Sequence, residues 1–371
     1  MIRGENHNYR PLLKEIPAEL QNGEQYVKKE VKEAIIKVRE RSKESAGKVK
    51  EDLKQRKERL AEKLGENATE IRERVSSFSK ALKEKLWDGK LVKYTELAEW
   101  MKDNEYIRDF YRPELRDSWT CLKTIFQYHN ETGNIWSHLL GAVSFLGLIL
   151  SYVLKSNGEF ISPIEEKSIG LIFFSCAFIC LIFSVSFHLF GCHSPNVCLL
   201  CGRLDYTGIA VLITGSYLPW VYYNFYCEPT TKLVYMSTIL FLGLVCTCVS
   251  FSKKFQLPKY RTFRGMLFAS FGLTGIFPFS HALYKYGWEH SIENGQMHLL
   301  LLMGLLYGIG VSFFITRFPE CVWPGKFDLL FHSHQIFHIF VVAAALCQAY
   351  ALSNLRAIRL ELGNNCASSE L

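Results

Sequence analysis

Charge is nearly missing from long tracts of the C-terminal two-thirds of the chain. Roughly the first 130 residues are dense in Lys, Arg, Asp and Glu, whereas the following 220 or so are dominated by apolar runs. A hydrocarbon layer about 30 Å thick is crossed by about 20 mostly apolar residues in a helix. Seven such runs occur, near 134–154, 168–190, 204–226, 233–252, 264–284, 296–316 and 329–352. Buried helices of a soluble protein mimic one or two of these, but seven in succession with short polar connections exclude that class. The N-terminus, MIRGENHNYRPLLKE, lacks an apolar h-region, so no cleavable secretory signal is expected and targeting falls to the first membrane helix. A disulfide framework is also not expected. Most of the 12 cysteines, such as Cys176, Cys180, Cys246, Cys248 and Cys347, lie inside the apolar runs, where they act as small apolar residues.

What is present sets the orientation. Seven crossings put the two chain ends on opposite sides and divide the short loops into two sets. One set carries Arg112, Arg116, Lys123, Arg203, Lys253, Lys254, Lys259, Arg261, Arg264, Arg317 and Lys326; the other carries Lys155, Lys167, Lys232, Lys285, Arg356 and Arg359. Eleven cations against six place the first set in the cytosol. The expected fold is therefore all-α: a seven-transmembrane helix bundle with a cytosolic N-terminus and an external C-terminus. Cys192, Cys198 and Cys201 share one loop on the reducing side, so no disulfide is expected among them.

Four regions are expected: a charged arm at 1–92, a cytosolic juxtamembrane segment at 93–130, the seven-helix domain at 131–355 and an external tail at 356–371. Proline is missing between Val27 and Leu86, and the apolar residues there recur every eleven positions: Val27, Val38, Val49, Leu60, Ile71 and Leu82, with a second series at Val31, Leu53, Leu64, Val75 and Leu86. That period, 3.67 residues per turn, keeps one narrow stripe on one side of a nearly straight helix. Three readings of this arm stand side by side: a solvated or partly disordered charged segment, a helix on an anionic membrane surface, and a partner for another helix. Asp103–Pro113, DNEYIRDFYRP, suits a short segment packed against the bundle.

Ionisable residues inside membrane segments are costly to bury and point to function. Four belong together: His188 at the end of the second helix, Asp205 at the start of the third, and His334 with His338 at the start of the seventh. All four fall on the side assigned to the cytosol. At 1.5 Å per residue, the last two lie about 8 to 14 Å inside a helix beginning near 329. His334 and His338 are spaced i, i+4 and project from one face. A third imidazole from His188 completes a three-ligand pattern of the kind used by catalytic zinc, with Asp205 as a fourth ligand or as the base holding a bound water. Ser184 lies one turn before His188. His332 points elsewhere and is expected at the interface; His138, His281 and His298 lack matching partners and are given structural roles. A competing cluster is Cys192, His193, Cys198 and Cys201, which also suits a simple tight loop.

The stretches NETGNIWSHLLG at 130–141, SVSFHLFGCHS at 184–194, LDYTGIA at 204–210 and SHQIFH at 333–338 resemble the progestin and adipoQ receptor family, and its adiponectin-receptor branch in particular. The resemblance runs from about Asn104 to Leu355. It implies seven helices with the N-terminus in the cytosol, zinc on His188, His334 and His338, and Asp205 against the zinc-bound water. The wider superfamily includes alkaline ceramidases, so the resemblance also implies hydrolysis of a lipid amide such as ceramide. In that chemistry Asp205 would accept the water's proton and zinc or Ser184 would stabilise the oxyanion, which makes Asp205 and Ser184 the catalytic candidates. Expected partners are a ceramide-like lipid, an extracellular protein hormone, and a cytosolic or membrane-surface contact through the arm, with no nucleic acid. A multi-pass protein of the plasma membrane is expected, signalling in lipid and energy metabolism. The alternative is a hormone receptor whose zinc is structural. A conventional G-protein-coupled receptor is disfavoured: RLDY at 203–206 is not DRY, and YALSN at 350–354 lacks NPxxY.

Overall fold

The computed structural model describes residues 91–154, 164–252, 255, 257–362 and 366, with scattered helical residues between 29 and 77. The chain divides into two units, Met1–Ala81 and Leu82–Leu371. In the first unit the described residues, including 54–59, are helical and exposed. The eleven-residue apolar series lies outside the described residues.

In the second unit a short juxtamembrane segment precedes the bundle. Its small core is Leu97, Ile107 and Tyr111, closed by an isolated antiparallel bridge between Val92 and Tyr111. Helix α1, Ser118–Lys123, starts where the Asp117 side chain accepts from the Thr120 amide at 2.7 Å. The bundle follows: α2 Thr132–Leu154, α3 Ile164–Phe190, α4 Pro195–Asn224, α5 Pro229–Ser250, α6 Arg261–Leu273, α7 Ile276–Glu293, α8 Met297–Thr316 and α9 Ser333–Leu362. They make seven spans long and apolar enough to cross a membrane, with α6 and α7 together forming the fifth. No strand occurs among the described residues.

At the third and fifth spans the difference from the sequence reading has a local cause. The third span begins at Pro195, nine residues early, because Pro195 occupies the first turn, where its missing N–H costs nothing. Cys198 and Cys201 thus sit on a helix and not in a loop. The fifth span is broken at Thr274–Gly275, where the Gly272 carbonyl accepts from the Gly275 amide at 3.2 Å and from the Tyr217 hydroxyl at 2.5 Å.

Helix α4 packs on α3, α5 and α9, and α9 also meets α8, α2 and α3. With no water to exclude between helices in lipid, close packing and small residues carry the association. On the α4–α3 seam a Cβ at Gly208 would stand 3.0 Å from the Cys180 Cα and one at Gly215 2.5 Å from the Cys176 Cβ, so glycine lets α4 approach α3 this closely. The core between these helices is aromatic and aliphatic, with Phe145, Phe173, Ala177, Leu181 and Trp220 buried.

One disulfide, Cys227–Cys366, joins the α4–α5 connection to the chain beyond α9, whereas Cys192, Cys198 and Cys201 are free, as expected. Helix α9 itself runs on to Leu362. The bundle therefore has a disulfide end and, at the opposite ends of the same helices, a histidine end.

Candidate metal centre

The histidine end is assembled by groups that stop and orient two helices. Helix α3 ends just after His188, and Arg112 holds its last carbonyls: one guanidinium nitrogen donates to Leu189 O at 2.9 Å and to Thr124 Oγ1 at 2.8 Å, the other to His188 O. Helix α9 starts at Ser333, four residues later than expected. Here the fully buried carboxylate of Glu320 caps it, accepting from the Ser333 amide at 2.7 Å and from the Ser333 hydroxyl. Asn104 donates to the same carboxylate at 3.1 Å. The Asp328 carboxylate accepts from the Arg108 and Asp109 amides at 3.1 and 3.0 Å. His334 and His338 consequently lie in the first two turns of α9.

Gln335 locks this turn to the start of α2, donating to Asn130 O at 3.2 Å and Leu329 O at 2.9 Å. A side chain on Gly133 would collide with it. His332 is buried and bonds Asn130 O at 3.1 Å; it is part of this lock and not the interfacial residue expected from the sequence. Outside the spans, burial and the nearby Arg112 cation push the His129 imidazole down to about 3, so it stays neutral against Thr124 O.

Three rings meet where α3 and α9 converge. One nitrogen from each of His188, His334 and His338 lies within 4.8 Å of the others, and His188 and His338 are buried. His188 Nε2 and His334 Nε2 are 3.2 Å apart. Ligand nitrogens on a tetrahedral zinc, about 2.05 Å from the ion, stand about 3.3 Å apart, so the spacing fits. The far side of the rings is engaged as well. Nδ1 of His188 meets Glu131 Oε2 at 2.7 Å, and Nδ1 of His338 meets Asn134 O at 3.2 Å, which turns both Nε2 atoms inward. Burial raises the Glu131 carboxyl, but the His188 imidazole and the Asn134 amide outweigh it and hold it below the ordinary carboxylate range. These three histidines are the one such metal-competent group among the described residues. The competing cluster is not assembled: Cys192 faces Cys121 at 3.9 Å and His193 bonds Ser194.

A cavity of about 290 Å³ adjoins the three rings. Its walls are mostly apolar, from α4, α6, α8 and α9, and include Leu212, Phe268, Met303 and Val341. Asp205 and Ser184 line it, as do His334 and His338. Asp205 is not one of the group that could hold the ion; its carboxylate faces the cavity next to it. His281 and His298 take local bonds, to Tyr235 and Ile292 O.

A family profile described as Haemolysin-III related matches residues 126–349. The chain belongs to that family. Within it, this haemolysin-III-related chain is 41% identical to the "Adiponectin receptor protein" of Drosophila melanogaster, over 74% of this chain and 62% of that one. It is 39% identical to "Progestin and adipoQ receptor-like protein 1" of Caenorhabditis elegans over 73% and 62%, and 39% identical to "Heptahelical transmembrane protein 1" of Arabidopsis thaliana over 69% and 78%. The match thus spans 62% of the length of the first two relatives. It is an adiponectin-receptor-like, seven-helix, multi-pass membrane protein.

Two residues at the centre escape the sequence reading. Glu131 sits ahead of the first span, and nothing in its surroundings announces a partner 57 residues away. His138 carried a signal, an ionisable group inside an apolar run, yet had no matching partner in sequence; the structure stacks it on His338 with ring centroids 3.6 Å apart.

Proposed function

We propose that this membrane protein is a zinc-dependent hydrolase of lipid amides, with ceramide the expected substrate class. The observation that carries the reading is the convergence of three imidazole nitrogens at the wall of an apolar, intramembrane cavity that also holds a carboxylate, Asp205. His188, His334 and His338 would hold the ion; neutral imidazoles suit zinc, whereas magnesium and calcium prefer oxygen. Zinc bound there would acidify a water and polarise an amide carbonyl.

The rest of the work falls to the chain. The apolar walls receive the part of the lipid next to the reacting amide without drawing it into water. Asp205 takes the proton of the attacking water and returns it to the departing amine nitrogen. The Ser184 hydroxyl, buried in the cavity lining beside the Asp205 carboxyl, would donate to the oxygen on which charge develops. The products are a fatty acid and a sphingoid base, and their release is the proposed signal in lipid and energy metabolism.

The Cys227–Cys366 disulfide supports the orientation read from the loop cations, because disulfides persist on the oxidising face. That face is external, where a protein hormone could reach it at the plasma membrane. A second reading is a hormone receptor in which zinc only ties helices. It is favoured by the bonds from Arg112 to the end of α3 and from Asn104, through Glu320, to the start of α9, which join the juxtamembrane segment to both ligand helices. Purified protein incubated with ceramide separates the two. The hydrolase reading expects fatty-acid release from the wild type and loss of it in both Asp205→Ala and His338→Ala. Zinc-replete wild type with no turnover supports the receptor.

A further inference from the structure

His138 is 3% exposed, lies inside the first span and lines the cavity, and neither of its ring nitrogens has a hydrogen bond. The His338 main chain is near it but off hydrogen-bond geometry, and could at most serve one of the two nitrogens. An imidazole costs free energy to bury in apolar surroundings unless its donor and acceptor are both met. His138 does not belong to the three-ring metal group. Other polar atoms of the cavity lining without a hydrogen bond are the Tyr307 hydroxyl on α8 and Arg264 Nε on α6, while the Ser184 hydroxyl on α3 lies beside the Asp205 carboxyl. An apolar pocket with a few convergent polar groups is the form of a site whose ligand brings the missing partners.

We infer that His138 is a ligand-binding residue: its ring nitrogens hydrogen-bond the amide or hydroxyl group of the lipid and so fix the polar head beside the metal centre. This rests on the reading of the cavity as a lipid-amide site. A neutral imidazole has one donor and one acceptor nitrogen, which matches a head group carrying both hydroxyl and carbonyl functions. Stacked on His338, the ring sets the distance between that head group and the ion. A plain hydrocarbon chain would leave both nitrogens unmet, so the residue selects for a polar head at this depth.

The test is equilibrium binding of radiolabelled ceramide to protein in lipid nanodiscs, on an Asp205→Asn background that prevents turnover, with zinc measured in each sample. His138→Phe keeps a flat ring against His338 and removes the hydrogen bonds; His138→Leu repeats the test where phenylalanine does not fit; His138→Gln restores polar contact. The inference expects zinc to be retained, affinity to fall about tenfold or more in the Phe or Leu variant, and most of it to return with Gln. Binding by either apolar variant as tight as the parent's overturns it and assigns the ring nitrogens to water. Zinc lost from both apolar variants overturns it too, because the ring is then a prop for His338. If the parent and the wild type take up no ceramide, the lipid-amide reading itself fails, and this inference with it.

Discussion

The two ends of the bundle solve the problem of placing polar groups at a membrane boundary in opposite ways. At the histidine end Glu320 is fully buried, Arg112 is 3% exposed and each is spent on helix ends or their neighbours, so the rings beside them have no freedom to turn away. At the disulfide end Glu228 pairs with Lys285 at 2.7 Å, but that lysine is 44% exposed, and the elements are held by a covalent link. One end is oriented atom by atom; the other is only tied. Preorganised geometry belongs where chemistry is done.

Substitutions sharpen that contrast in order of size. His188→Ala should abolish metal binding and any activity that depends on it, seen as loss of zinc from about one equivalent per chain by elemental analysis. The double change Cys227→Ser/Cys366→Ser should lower stability by roughly 2–4 kcal/mol in thermal or denaturant unfolding while leaving zinc content and turnover within about twofold; loss of zinc there would merge the two ends into one device. Glu131→Gln keeps the shape beside His188 but removes the charge, and should weaken zinc affinity about 10–100-fold in a chelator competition, with the fold intact. The smallest effect belongs to Glu228→Gln, less than about 1 kcal/mol at neutral pH.

The last of these has a pH signature. Burial raises the Glu228 carboxyl, but its bonds to Lys285 and Tyr286 outweigh that and hold it below the ordinary range. A carboxyl lowered on folding stabilises fully above its unfolded value, about 4.3, and the contribution is lost as pH falls through the lowered folded value. The unfolding midpoint of the wild type should therefore drop more than that of Glu228→Gln between pH 6 and pH 3.

Much of this was legible in the chain because the membrane imposes a strong rule. Apolar length marks the seven spans, and buried ionisable groups such as His188 and Asp205 stand out against it. Less legible is whatever depends on a contact between distant backbones. Nothing before α9 shows that Glu320 will stop it at Ser333, so the predicted start at 329 came four residues early. Pro195 starts a helix among polar residues that hydropathy assigns to a loop. Glu131 is an ordinary loop carboxylate until the ends of α2 and α3 are side by side, and Cys227 and Cys366 are 139 positions apart. His138 was visible as an anomaly, but its role needed the cavity.

The central claim is tested most directly by stripping the protein of metal, titrating zinc back and following fatty-acid release from ceramide. Release should rise in proportion to bound zinc, level off at about one ion per chain, and be absent at every zinc level in Asp205→Asn, which should still bind the ion. Zinc that binds stoichiometrically to the wild type without any release would contradict the account and leave the three histidines as a tie between helices.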